Sequence, residues 1–248
     1  MKRLLGIGAF FFLAAAGFVS YVFLTLPDVQ QLKRTNPTIT ALMRQRAQEK
    51  KTTTRGIGRW VRYNDISLHV RNAVLVAEDG AFFQHSGYDV EQIKESVKKN
   101  VEQKRFARGA STITQQLAKN LYLSTSKNPL RKINEFFIAQ EMERYLTKQR
   151  IFEIYLNVIE WGDGIYGIDA AAMAYFAKEP SALLPEEGAT LAAMIPNPRR
   201  YTPSRNGKYL ETRKNQLLKR LADYRYLARE EYDEAILRPV VYRQVSAP

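Results

Sequence analysis

Hydrophobic and polar positions divide this chain into three regimes. From Leu4 to Leu26 no charged residue occurs, long enough for the ~20 apolar residues of a spanning helix. From Gln30 to Arg59 the chain is polar and basic. From Trp60 onward apolar residues recur at helical spacing, punctuated by turn residues, and strand-like alternation is scarce. Asp89 followed by Gln92 is an N-terminal capping pattern before Ile93–Val97. Pro129 predicts a helix over Leu130–Leu146, and Thr147 caps the next, Lys148–Val158. Ile168–Ala177 is alanine-rich and helical. Leu184-Pro185-Glu186-Glu187 opens another helix, with proline in the first turn and carboxylates at its positive end. Glu211–Leu221 and Arg229–Leu237 complete the set, and Thr38–Lys51 reads as a short helix. Strands are predicted only at Trp60–Tyr63 and Val240–Tyr242. The pattern gives a mainly α fold in three parts: an apolar anchor within 1–27, a basic linker over 28–55 and a helical domain over 56–248.

The flanks of the first run orient it. Lys2 and Arg3 precede it and should stay cytoplasmic. Ala14-Ala15-Ala16-Gly17 would suit a cleaved signal peptide. The apolar run continues past that point, however, whereas a signal core spans only ~7–15 residues. An uncleaved anchor is expected, with everything after Leu26 outside the cytoplasm.

Composition narrows the chemistry. The 248 residues are 45% hydrophobic and 25% charged, as in a globular protein with one sizeable core. There is no cysteine, which excludes thiol nucleophiles, disulfides and thiolate metal sites. His69 and His85 are the only histidines, so a His-rich metal site is excluded too. Lys and Arg number 38 against 25 Asp and Glu, a net charge of +13. That balance suits an anionic partner: nucleic acid, a membrane surface or a phosphorylated substrate.

The candidate chemistry centres on Glu78-Asp79, where the apolar run Val74–Ala77 ends. A carboxyl there is partly desolvated, which raises its pKa and suits it to accept a proton near neutral pH. A helix cap or salt bridge is the plainer role for such a pair. Gly162-Asp163-Gly164-Ile165-Tyr166-Gly167 matches G-x-G-x-x-G, but no strand precedes it, so it reads as a tight inter-helix loop. Ser96-Val97-Lys98-Lys99 and Ser124-Thr125-Ser126-Lys127 match S-x-x-K without a following K-T-G and are chance matches. Arg131 and Glu135 share a helix face, where an exposed pair contributes a few tenths of a kcal/mol (~0.2–0.5). Gly109 with Ser111, Thr112, Thr114, Gln115 and Gln116 crowds hydroxyls and amides at a helix start, a pattern for caps and sugar-like hydrogen bonding.

Five ordered motifs resemble the peptidoglycan glycosyltransferase family, glycosyltransferase family 51. Glu78-Asp79, Phe82, His85 and Gly87 fit its E-D-x-x-F-x-x-H-x-G. Gly109 and Ser111–Gln116 fit G-x-S-T-I-T-Q-Q. Arg131, Lys132 and Glu135 fit R-K-x-x-E. Lys148, Ile151, Glu153, Tyr155, Leu156 and Asn157 fit K-x-x-I-x-E-x-Y-L-N. Gly167, Ala171, Ala172, Tyr175 and Phe176 fit G-I-x-x-A-A-x-x-Y-F. The match covers roughly Trp60 to Pro203, and the length resembles the monofunctional biosynthetic form. Gly80 departs from the arginine of many members, and Asn134 from the lysine of some.

The resemblance implies a lysozyme-like helical catalytic domain with a smaller membrane-facing lobe. It implies polymerisation of lipid II into glycan strands, with inversion at the donor sugar. The growing chain on its lipid diphosphate is the donor, and incoming lipid II is the acceptor. Glu78 would be the base for the acceptor hydroxyl. Glu135 would be the second carboxylate, on the leaving-group side. Lys119, Lys127, Arg131 and Lys132 would neutralise the diphosphate, and Ser111, Gln115 and Gln116 would line the donor site. No cofactor is obligatory, although the family allows a divalent cation, magnesium or manganese, at the diphosphate. The expected location is the outer side of a bacterial cytoplasmic membrane. Expected partners are the bilayer and other cell-wall proteins, including a separate transpeptidase, and not nucleic acid. Two alternatives differ in chemistry. A lytic muramidase-like enzyme would need a glutamate but no phosphate-reading cations. A non-enzymatic module binding anionic polymer would use the charge and the anchor but neither glutamate.

Overall fold

Eleven residues, Leu68–Glu78, form the helix that carries the central carboxylate. The computed structural model describes residues 24–54, 56–102, 111–123 and 128–243, together with Gly17. Its helices in chain order are α1 (Ala41–Glu49), α2 (Leu68–Glu78), α3 (Val90–Glu102), α4 (Ile113–Tyr122), α5 (Pro129–Tyr145) and α6 (Lys148–Val158). They continue with α7 (Ile168–Phe176), α8 (Pro185–Met194), α9 (Pro203–Asp223) and α10 (Arg229–Leu237). The chain is therefore mainly helical, as its periodicity predicts. Side-chain caps set several starts. Thr40 accepts from Met43 N, Asn128 from Leu130 N and Thr147 from Arg150 N, each satisfying an orphan amide of a first turn.

Helices α2, α8 and α9 pack together, with α10 on α8 and α9. Helix α4 packs against α1, α5 and α6. The buried face of α2 is Val70, Ala73, Val74, Leu75 and Val76, which fixes the axis along which Glu78 projects. Close approach to α8 requires Gly188. A Cβ there would sit 3.0 Å from the backbone of His69 and Val70.

Trp60–Tyr63 is not a strand, because Asn157 occupies both backbone groups of Val61: its Oδ1 accepts from Val61 N and its Nδ2 donates to Val61 O. Residues 240–242 are irregular; Tyr242 stacks on Phe176, and Arg243 N donates to Tyr175 O. The two strands among the described residues are β1 (Glu160–Gly162) and β2 (Ile165–Tyr166), an antiparallel hairpin that overlaps the segment Gly162–Gly167 read as a loop. Segments of three and two residues are too short to show alternation. The stretch 28–55, read from its charges as a linker, buries Val29, Leu32, Leu42, Met43 and Ala47, and α1 lies on α4. No described helix is long and apolar enough to cross a membrane. The expected anchor at Leu4–Leu26 lies, apart from Gly17 and its last residues, outside the described segments.

Candidate active site

Helix α2 ends on Glu78, and the next residue, Asp79, is fully buried while Glu78 is partly exposed. A helix C-terminus is an unfavourable place for a carboxylate. Glu78 is met there by a side-chain donor, Gln116 Nε2 on α4, at 2.9 Å. Gln116 is itself held, because its Oε1 accepts from the Tyr155 hydroxyl on α6, also at 2.9 Å. Tyr155 is fully buried, and its hydroxyl pKa is pushed well up, first by burial and then by the charges of Glu78 and Asp79.

Asp79 takes a different part. Its Oδ2 accepts from Ile113 N at the start of α4, at 2.9 Å. His85 Nε2 lies 3.0 and 3.1 Å from its two oxygens. His85 Nδ1 accepts from Gly87 N at 3.2 Å, so the ring proton sits on Nε2 and points at Asp79. The loop closes when Thr112 Oγ1 donates to Gly87 O. Gly87 has φ +87°, and a Cβ there would meet Gln140 Nε2 at 2.8 Å, so only glycine fits. The adjacent carboxylates thus divide the work. Asp79 ties the end of α2 to its loop and to α4, and Glu78 accepts from Gln116 while keeping part of its surface exposed.

The second cluster is built on α5. Glu135 is 2% exposed. Arg131 Nη1 donates to its Oε2 at 2.5 Å, and Lys132 Nζ donates to its Oε1. The surface pair suggested by the i, i+4 spacing is therefore a buried carboxylate between two cations. Lys132 also reaches Ser111 Oγ at 3.0 Å and Gln115 Oε1 at 3.5 Å, joining α5 to the start of α4. Lys119, on α4, lies within the fields of both clusters. Burial lowers its pKa, Glu135 and Glu78 act to raise it, and Arg131 and Lys132 act to lower it further. The structure thus gathers Glu78, Glu135, Ser111, Gln115, Gln116, Lys119, Arg131 and Lys132 around α4. Lys127 and Gly109 lie outside the described residues.

Gln116 faces Glu78, whereas Ser111 and Gln115 face Lys132. Gln115 is only 6% exposed. The remaining motif residues build rather than face outward. Glu153 accepts from Trp60 Nε1 and Tyr63 N, and so fixes the approach to α2. Lys148 binds Glu143 at 2.7 Å and lies over the Phe82 ring, while Thr114 Oγ1 donates to Glu143. Tyr175 donates to Trp161 O. Tyr155 stands in the K-x-x-I-x-E-x-Y-L-N motif, but the motif assigns it no role, and it sits among the apolar residues of α6.

For a divalent cation the donor set is poor. Both Glu135 oxygens are taken by Arg131 and Lys132, and among the described residues no three His, Asp or Glu side chains draw together. Ammonium and guanidinium groups, not metal ligands, surround this carboxylate.

Residues 45–222 match the family model described as Transglycosylase. That span is most of the chain and holds all the described residues of both clusters. The chain belongs to the transglycosylase family. Two relatives agree. A biosynthetic peptidoglycan transglycosylase of Nitrosospira multiformis is 41% identical over 216 residues, 86% of this chain and 94% of that protein. Its counterpart from Nitrosomonas eutropha is 49% identical over 163 residues, 66% of this chain and 67% of that protein. Penicillin-Binding Protein 1A from Haemophilus influenzae, known from a crystal structure, is 30% identical. It matches 53% of this chain and 16% of its own, with a TM-score of 0.36, too low to carry a fold argument. This transglycosylase is therefore a glycosyl-transferring enzyme, as its motifs imply.

Proposed function

We propose that this transglycosylase polymerises lipid II into glycan strands, with Glu78 and Glu135 in unlike roles. The observation that carries the reading is the contrast between their surroundings. Glu78 is partly exposed and accepts from the neutral Gln116 amide; Glu135 is buried and accepts from a guanidinium and an ammonium. A proton acceptor must stay reachable, which suits Glu78. A carboxylate clamped between cations is suited to placing them, which suits Glu135.

In the proposed step the acceptor hydroxyl of lipid II attacks the anomeric carbon of the growing chain. The new sugar–oxygen bond forms as the bond to the lipid diphosphate breaks, with inversion. Glu78 takes the hydroxyl proton, and the departing diphosphate carries away the electron pair. Lys119, Arg131 and Lys132 neutralise that charge, arginine by a planar fork and lysine as a point charge. A hydrolase of sugar–sugar bonds has no comparable use for three cations beside its second carboxylate.

A membrane-bound substrate fits the surface. Val90, Ile93 and Val97 of α3 and Leu130, Ile133 and Phe136 of α5 are exposed, and the rings of Tyr88 and Phe136 lie 5.7 Å apart, bridging the two groups. Such a face suits the headgroup–acyl boundary. With the apolar run at Leu4–Leu26, it supports an anchored enzyme whose smaller lobe meets the outer leaflet, under a lysozyme-like body.

The test is incubation of the full chain with labelled lipid II. Polymer is expected. Glu78→Gln keeps size and hydrogen bonding but cannot take the proton, so polymerisation should fall by ~10²–10⁴-fold with melting preserved. Full activity in this variant refutes the mechanism. Glycan fragments from a supplied sacculus would indicate a lytic enzyme instead.

A further inference from the structure

We infer that Tyr155 is a positioning residue for Glu78, acting through the Gln116 amide; the inference rests on the reading of Glu78 as the base. Three polar groups lie in line: the Tyr155 hydroxyl, the Gln116 amide and the Glu78 carboxylate, each link 2.9 Å long. They come from three helices, α6, α4 and α2.

The chemistry of the line gives it one direction. An amide has an accepting end and a donating end of nearly equal shape, so it can sit either way round. Tyr155 decides between them. Its hydroxyl has one proton and, being fully buried, no water to give it to. Burial and the nearby charges of Glu78 and Asp79 keep the phenol protonated. The proton therefore goes to Gln116 Oε1, and Nε2 must face Glu78. The reversed amide would set its oxygen against a carboxylate oxygen, lone pair against lone pair. With Nε2 fixed on Glu78 Oε2, that oxygen of the carboxylate is held in place.

The hydroxyl has no evident packing purpose. Tyr155 is flanked on α6 by the buried Ile154 and Leu156, and its ring stacks on Phe152 at 6.3 Å. Phenylalanine would fill the same space. What tyrosine adds is one donor, spent on Gln116.

Among the described residues, Glu78 acts electrostatically on Lys119 of α4 and on Tyr155 of α6, and Asp79 follows it in the chain. A titration of Glu78 therefore compares variants in which Asp79 and Lys119 are unchanged. The experiment uses the full chain in detergent with carboxyl-¹³C glutamate, the Glu78 signal being assigned by its loss in Glu78→Gln. It follows Glu78 by NMR in the wild type, Tyr155→Phe, Gln116→Met and the double variant. It also measures kcat and KM on lipid II.

Tyr155→Phe should move the Glu78 titration to higher pH by at least ~0.5 unit, because the amide no longer holds its donor on the carboxylate. It should lower kcat by ~10-fold and leave KM within ~2-fold, since substrate contacts are untouched. Gln116→Met should shift the titration the same way. The double variant should be no worse than Gln116→Met alone, because Tyr155 acts only through that amide. A Tyr155→Phe titration that overlays the wild type, or effects that simply add, overturns the inference. Should Tyr155→Phe not fold, Gln116→Met decides: an unmoved Glu78 curve removes the link. A wild type that titrates as described but makes no polymer would overturn the proposed function and leave the alignment standing.

Discussion

Replacing Asp79 by asparagine tests how the site is tied together. Asp79 is 1% exposed and receives two donors, Ile113 N at 2.9 Å and His85 Nε2 at 3.0 Å. Asparagine keeps one accepting oxygen and puts an NH₂ where the other was. One donor then faces another donor. His85 cannot relieve this by moving its proton, because Nδ1 already accepts from Gly87 N. A hydrogen bond to a charged group contributes ~1.5–3 kcal/mol, and about one such bond is lost. For a domain of this size each kcal/mol shifts Tm by ~2–4 °C, so Asp79→Asn should melt ~3–12 °C lower. Because the bond joins α2 to α4, the Ile113 amide should also exchange faster. Alignment of Gln116 on Glu78 should loosen, so kcat should fall more than KM rises. Thermal unfolding in detergent, amide exchange and lipid II polymerisation measure the three effects. A variant that melts within ~1 °C of the wild type with Ile113 equally protected refutes the tether.

Other outcomes follow from the same contacts. The cycle built on Arg131→Ala and Glu135→Gln should show strong coupling in lipid II kcat/KM, and a cycle between positions 78 and 131 much less; equal coupling in both would remove the division of roles. Lys119 has a lowered pKa from burial, so its charge is lost as pH rises through a value below the ordinary lysine range. The alkaline limb of kcat/KM, which reports the free enzyme, should therefore lie below that range and move up in Lys119→Arg; an unchanged limb separates Lys119 from the reaction. For stability the sign is opposite: the unfolded chain holds this proton more tightly, so Lys119 favours folding more as pH rises between the two values. Gly188→Ala should destabilise by ~1–3 kcal/mol, since the added methyl meets the α2 backbone at 3.0 Å; unchanged urea unfolding would show that α8 can shift without cost.

Much of the fold was legible along the chain because helices are local. Lys148–Val158, from its Thr147 cap, and Arg229–Leu237, from its periodicity, were readable to the residue, and α5 and α7 to within a residue at each end. The candidate site residues stand in motifs: Glu78 where an apolar run ends, and Arg131, Lys132 and Glu135 at helical spacing. Their unlike surroundings were not legible. Spacing alone could not distinguish an exposed ion pair from Glu135 buried between two cations, because burial depends on what α5 packs against. Nor could it separate Asp79, which takes a backbone amide 34 positions away, from Glu78, one residue before it. The basic stretch 28–55 looked solvated because its charges outnumber its apolar residues; only the packing of α1 on α4 reveals that the few apolar ones share a face. Tyr155 is the clearest case. By periodicity it is one more aromatic on an apolar helix face, its motif names no partner for it, and it gains one only because three helices converge on Gln116. What the sequence determined was which residues are present and which helices they form. Which donor meets which acceptor was decided by the tertiary structure, because hydrogen bonds act across ~3 Å in space irrespective of separation along the chain.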